Sequence, residues 1–258
     1  AGGGQLVAFE ERDLEAVRER LALETDLRRA IADNDIWLAY QPIVRIDDNR
    51  IVGCEALARW DHPRRGEVPP DTFLPVVAQL GLTSELTAQV LRAACTQVAQ
   101  WKSVGTVASD FGVSVNLSAD DLANPGLVEE VCHALEISGL EPGCLTLEVT
   151  ETGLVRDTDA ALACLRAIRR LGARLAVDDF GTGYSSLSYL NMFPVEIVKI
   201  DKSFVSSLGH DADATALVRG ILSLTGALGF TAVAEGIEND IQLETLRQLG
   251  CTLAQGYF

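Results

Sequence analysis

Residues 36–60 read IWLAYQPIVRIDDNRIVGCEALARW. Two apolar runs, IWLAYQPIVRI and IVGCEALARW, are separated only by DDNR. Their β-branched and aromatic residues suit a pleated, half-buried surface. Four residues suffice to close a hairpin, whereas two parallel strands need a crossover of about a dozen residues or more. One of these two strands therefore runs antiparallel to the other.

The rest of the chain keeps a different rhythm. Six further runs, FGVSVNLS, CLTLEVTET, ARLAVDDFG, VEIVKIDKS, FTAVAEGIE and CTLAQGYF, bring the number of strand-like segments to eight. Between most of them lie helical stretches such as LTSELTAQVLRAACTQVAQWKSV, DADATALVRGILSLTGALG and DIQLETLRQLG. Several end in glycine, where a helix caps off. Alternating strands and helices imply a parallel sheet, and eight such units in 258 residues imply a closed α/β barrel of the (β/α)8 kind. Ahead of it, FEERDLEAVRERLALETDLRRAIADND (Phe9–Asp35) places Leu14, Val17, Leu21, Leu27 and Ile31 at helical spacings among dense charge. It reads as an amphipathic linker helix, either packed on the domain or serving as a signalling or dimer helix.

Composition narrows the function. The net charge is −16, with 37 acidic against 21 basic residues, which repels nucleic acid polymers. No apolar run is long enough to cross a membrane, so membrane contact by this chain is not expected. The opening AGGG lacks the basic and apolar segments of a signal peptide and reads as the start of a piece of something longer. Six cysteines, Cys54, Cys95, Cys132, Cys144, Cys164 and Cys251, show no metal-like spacing and read as thiols of a reducing, cytoplasmic compartment.

In such a barrel the active site lies at the C-terminal ends of the strands. Those ends carry Glu55, Asn116, Glu148 with Glu151, Asp178 with Asp179, Lys199 with Asp201, Glu235 with Glu238, and Gln255. Singly, each has a plain structural reading. Glu55 could pair with Arg59, Asn116 could cap the following helix though Ser118 caps it better, Glu148 could sit on a solvated strand face, and Glu235 and Glu238 could belong to a helix's first turn. Together they are hard to assign to chance, because a carboxylate in an apolar strand costs several kcal/mol unless paired or metal-bound. An all-oxygen set without histidine selects hard cations such as Mg²⁺ or Mn²⁺. His62, His133 and His210 stand away from the expected strand ends. Two cations sharing these carboxylates would turn an acidic rim into an anion site, where Arg59 could hold a phosphate oxygen. Within LAVDDFGTGYSS (Leu175–Ser186), Asp178 reads as the last inward residue of its strand. Asp179 reads as already in a turn that the glycines set free, and the stretch as a whole as a hinge leading into a helix YSSLSYL.

CEALARW, DDFGTGYSSL, VKID and AEGIE, in that order, resemble the EAL-domain phosphodiesterases that hydrolyse cyclic di-GMP, and YQPIV and VNLS fit as well. The resemblance runs from about Ile36 to Phe258. It implies a modified TIM barrel with an antiparallel first strand and cleavage of cyclic di-GMP to linear pGpG by metal-activated water. By position, it implies Glu55, Asn116, Glu148, Asp178, Asp179 and Glu235 as ligands of two Mg²⁺ or Mn²⁺ ions, with Ca²⁺ inhibiting. Lys199 would position or help deprotonate the water, Gln41, Leu57, Arg59 and Glu238 would contact substrate, and Glu151 and Gln255 would support the site. Gln79 stands where the family often has Glu, and the sequence ends at QGYF where family members continue. Residues 1–9 resemble the end of a GGDEF domain, 10–34 form the linker helix and 35–258 the EAL domain. The resemblance further implies a homodimer, an upstream GGDEF or sensor domain, and any membrane tether elsewhere in the full-length protein. The alternative is a cyclic di-GMP receptor with weak turnover; an unrelated metal-dependent barrel enzyme would leave DDFGTG unexplained.

Overall fold

The hairpin is present, and it decides the topology. In the computed structural model, which describes residues 11–155, 158–182 and 192–257, β1 (Ile36–Arg45) and β2 (Arg50–His62) pair antiparallel with Gln41 opposite Glu55. Asn49 closes the connection at φ 53°, a left-handed conformation that asparagine tolerates better than most side chains. The Asp48 carboxylate accepts a hydrogen bond from Arg50 N at 3.2 Å and holds the turn.

The remaining strands are β3 (Gly66–Val68), β4 (Gly112–Leu117), β5 (Leu145–Thr150), β6 (Arg174–Phe180), β7 (Ile197–Ile200), β8 (Thr231–Ile237) and β9 (Leu253–Gly256). From β2 through β4 to β9 neighbours pair in parallel, and β1 closes the barrel by pairing antiparallel with both β2 and β9. The first strand is thus the reversed one. The ninth strand, β3, is an addition that the eight-run pattern lacked: it pairs with the last three residues of β2 and carries that strand past Trp60 to His62. His62 accordingly stands at a strand end, a correction to the sequence reading. It serves packing, with its Nε2 3.0 Å from Asp26 Oδ2 and its Nδ1 accepting from Arg64 N and Arg65 N.

Ten helices are described: α1 (Glu11–Ala32), α2 (Pro70–Gln79), α3 (Thr83–Ser103), α4 (Ala119–Ala123), α5 (Leu127–Ser138), α6 (Glu151–Val155), α7 (Thr158–Leu171), α8 (Lys202–Val205), α9 (Ala212–Ala227) and α10 (Asp240–Gln248). Side chains of β4 to β7 such as Val115, Leu147, Leu175 and Val198 are wholly buried in the main core. The barrel interior has its own floor of Ile43, Ala176, Ile197 and Val233. Strand side chains alternate, so the residues two places on, Asp178, Lys199 and Glu235, point to the same interior one layer higher.

Helix α1 is docked on the domain. Leu23, Leu27, Ala30 and Ile31 form its buried stripe, at the i, i+4, i+7, i+8 spacing of one helix face. They pack with Trp60, Val68, Phe73, Val77 and Leu86. Leu21, expected on that face, is exposed because the contacting stripe runs through Leu23 instead. Among the described residues no helix is long and apolar enough to cross a membrane. All six cysteines are free, four of them buried. The N-terminal tail, Leu14 and Val17 as packing side chains, and the YSSLSYL segment with the hinge reading placed on it lie outside what is described.

Candidate active site

Lys199 enters the barrel from β7 and is 1% exposed. Its ammonium meets carboxylates from four other strands: Glu148 Oε2 at 2.5 Å, Glu235 Oε1 at 2.7 Å, Glu55 Oε2 at 3.1 Å and Asp178 Oδ1 at 3.5 Å. Glu55 is fixed from both sides of its strand. Its Oε1 accepts from Asn116 Nδ2 at 2.5 Å and its Oε2 from Gln255 Nε2 at 2.6 Å, while Gln255 also donates to Gln41 Oε1 at 2.9 Å. Seven barrel strands therefore contribute to the ring around one cation and the eighth, β1, closes it through Gln41.

The paired aspartates reach the same place by a backbone irregularity. Alternation turns Asp178 inward and would turn Asp179 outward. Asp179 instead adopts φ 53°, and the β6–β7 register slips between Val177 and Phe180. Asp178 Oδ1 accepts from Asp179 N at 2.9 Å and holds the kink. Oxygens of Asp178, Asp179 and Glu235 consequently lie within 4.8 Å of one another. Asp179 is still within β6, and it takes the left-handed conformation itself, so the expectation of a glycine-freed turn is corrected. Gly236, beside Glu235, does need its missing side chain: at φ 69° a Cβ would come within 2.4 Å of Lys202 Cβ.

The other expected positions divide. Leu57 and Arg59 follow Glu55 on the same face of β2 and, with Asn116, line a cavity of about 320 Å³. Arg59 bonds to Ala58 O at 2.9 Å and lies 3.8 Å from Glu67 on β3, so the Glu55–Arg59 pair left open by the sequence is not formed. Asn116 is free of capping duty, because Ser118 and Asp121 form a capping box on α4. Glu151 opens α6 and its carboxylate accepts from Gly181 N at 3.4 Å, just beyond the aspartates. Asp201 is the N-cap of α8 and bonds to Ser203 N, a structural task. Glu238 lies past β8, with its backbone N donating to Gln242 Oε1 at 2.7 Å. Gln242, buried on α10 and bonded also to Ser206 O, was not singled out from the sequence. The Asn239-x-x-Gln242 spacing of a helix start was the available signal.

Burial and crowding set the charges. Burial pushes Glu148 up to about 8 and Glu235 up to about 7, although the Lys199 ammonium draws both back. Asp179 is raised by burial and by its neighbour Asp178. Burial acts the same way on Glu55, but Lys199 and the bonds from Gln255 and Asn116 outweigh it and hold this carboxyl low. For Lys199 burial disfavours the ammonium, and the surrounding carboxylates more than reverse that, raising it well above the usual lysine range. Buried carboxyls thus outnumber the single buried ammonium, and the ring retains capacity for further positive charge.

Comparison with known proteins follows the same lines. Residues 24–258 match the family model described as EAL domain. MucR of Pseudomonas aeruginosa, described as a bifunctional diguanylate cyclase/cyclic di-GMP phosphodiesterase, is 42% identical over 240 residues, covering 93% of this chain and 35% of MucR. NbdA of the same organism, described as a cyclic di-GMP phosphodiesterase, is 38% identical over 249 residues, covering 96% and 32%. Among solved structures, the PaMucR phosphodiesterase in complex with c-di-GMP aligns with a TM-score of 0.86 at 42% identity, covering 92% of this chain and 95% of that one. The chain spans about a third of the length of the curated relatives it matches.

Proposed function

The chain belongs to the EAL domain family, and from that premise we propose that it hydrolyses cyclic di-GMP to linear pGpG. One observation carries the reading: a buried lysine ringed by carboxylates from four strands at the end of the barrel where such folds do chemistry.

The donor set fits two hard divalent cations. Glu55, Asn116, Glu148, Asp178, Asp179 and Glu235 offer oxygen only, which suits Mg²⁺ or Mn²⁺ better than zinc. Gln255 Oε1 is buried without a hydrogen-bond partner and keeps acceptor capacity for water brought by a hydrated ion. When bound, such cations supply Lewis acidity at the phosphate and a more acidic water. The chain's own residues supply the rest. Lys199, whose ammonium is favoured by the surrounding carboxylates, positions the attacking water or helps to take its proton. Glu55 is clamped by Asn116 and Gln255, so its oxygens stay aimed into the ring without side-chain reorganisation. Arg59 offers a fork to a phosphate oxygen, and Leu57, Gln41 and Glu238 contact the nucleotide around it. Glu151 steadies the backbone after Asp179 through Gly181.

In the full-length protein we place residues 35–258 as the catalytic domain, 10–34 as the linker and 1–9 as the tail of a preceding GGDEF or sensor domain. The whole works as a homodimer in the cytoplasm, with any membrane tether upstream. Incubating the chain with cyclic di-GMP and Mg²⁺ or Mn²⁺ and resolving the products by chromatography tests the reading. Appearance of pGpG supports it. Tight binding without turnover would instead make the chain a receptor, and neither would remove cyclic di-GMP from the account.

A further inference from the structure

The far end of β5 from the rim holds a second lysine with an unusual partner. Lys102, in the last turn of α3, places its Nζ 2.7 Å from Sγ of Cys144, the residue that precedes β5. Among the described residues this sulfur is the bonded neighbour of the Lys102 amine, and no carboxylate competes for it. Cys144 is buried at 7% exposure, while Lys102 is partly open to solvent. Cys144 also reaches Ser109 O at 4.0 Å, and Cys251 likewise bonds to backbone carbonyls and Cys132 to Glu136, but among the described residues only Cys144 has an amine as a bonded neighbour. An amine and a thiol at this separation lie inside ordinary nonbonded contact, and the gap is the one a single bridging oxygen spans.

We propose that Lys102 and Cys144 are a site of oxidative cross-linking, joined as Lys–NH–O–S–Cys, with hydrogen peroxide as the oxidant. The Cys144 thiol first gives its sulfur electron pair to one peroxide oxygen, the O–O bond breaks, and sulfenic acid and water form. A second peroxide then takes two electrons from the sulfenic acid and the Lys102 amine together. An N–O bond forms to the sulfenic oxygen, one N–H and the S–O–H hydrogen leave, and two waters are released. Nitrogen keeps one hydrogen. Two equivalents of a dithiol supply the four electrons that reverse the link and return amine, thiol and water. The bond ties the C-terminal end of α3 to the start of β5, four residues before Glu148 and about 13 Å along the strand from it. It is independent of the proposed hydrolysis and is tested without it.

The whole chain is treated with hydrogen peroxide, digested, and mapped by mass spectrometry. The expected product is a peptide pair joined between Lys102 and Cys144, heavier by about 14 Da than the two free peptides and separated again by dithiothreitol. The oxidised protein should also melt at a higher temperature, and the gain should vanish on reduction. Lys102→Arg keeps the positive charge and should lose the joined pair, leaving Cys144 to advance to sulfinic acid. Cys144→Ser should lose both. Sulfinic or sulfonic Cys144 without a joined peptide in the unsubstituted chain would overturn the proposal. So would a joined pair lighter by about 2 Da, which would mean a direct S–N bond.

Discussion

Lys199 and Glu148 lie 2.5 Å apart with both side chains sealed from solvent, and three further carboxylates face the same ammonium. Removing the cation leaves the buried Glu55 carboxylate without its counter-ion, supported only by Asn116 and Gln255. Lys199→Met should destabilise the metal-free protein by about 3–5 kcal/mol, the usual cost of breaking a buried ion pair on one side. Saturating Mn²⁺ should restore part of that stability but not turnover, because the water-orienting donor is gone. Urea denaturation in EDTA and in Mn²⁺ measures both. A variant as stable as the parent in EDTA would mean that the ring is not ionised.

The raised carboxyls give the metal-free protein a distinctive pH dependence. Glu148, at about 8, and Glu235, at about 7, hold their protons more tightly folded than unfolded. Each therefore contributes stability below the usual carboxylate range that is lost as pH rises through its folded value, at up to about 1.4 kcal/mol per pH unit per group. Glu55 is depressed, so its contribution is present above the usual range and lost only in acid. Lys199 is raised and keeps its contribution until strongly alkaline pH. Denaturation midpoints in EDTA should fall between pH 5 and 8, and saturating Mn²⁺ should flatten the slope. A midpoint that climbs over that window in EDTA would contradict these charge assignments.

Divalent cations should raise the melting temperature through the oxygens of Asp178, Asp179 and Glu235, which share one small space. Replacing Asp178 by Asn and Glu235 by Gln together should abolish the shift. Ca²⁺ should also bind, yet suppress turnover when added against Mg²⁺, because its looser and larger shell sets the ligands at a different spacing. Calorimetric scans and product assays with each ion distinguish these outcomes; full activity in Ca²⁺ would refute the two-cation arrangement.

The link DDNR was enough to show that one of the first two strands is reversed, the family resemblance made it the first, and the polar residues at the strand ends named the ring around Lys199. Both follow from local spacing and from the period of two along a strand. Asp179 was less legible, because its left-handed backbone arises from a register slip against β7, and pairing partners are not written beside a residue in sequence. Strand β3 escaped notice for its length, since three residues carry almost no pattern. Leu21 looked like the buried face of α1 because helical spacing fixes a stripe only up to which neighbour it meets. Lys102 and Cys144 stand 42 residues apart, and nothing in either segment announces the other.

Arg59 lines the cavity with one guanidinium nitrogen bonded to Ala58 O and a long 3.8 Å ion pair to the exposed Glu67 carboxylate, a contact that an anion could displace. Arg59→Lys keeps the charge but loses the two-point geometry. It should raise KM for cyclic di-GMP about tenfold, ~1.4 kcal/mol, with a smaller change in kcat. Steady-state kinetics decide it, and an unchanged KM would remove Arg59 from the substrate site.

The most direct measurement is hydrolysis of cyclic di-GMP in ¹⁸O-labelled water with Mg²⁺ or Mn²⁺, comparing the parent chain with Glu55→Ala and Lys199→Ala. The expected result is pGpG carrying one ¹⁸O on its terminal phosphate from the parent chain and none from either variant, both of which remain folded in Mn²⁺. Labelled pGpG formed equally by Lys199→Ala would contradict a catalytic ring centred on that lysine.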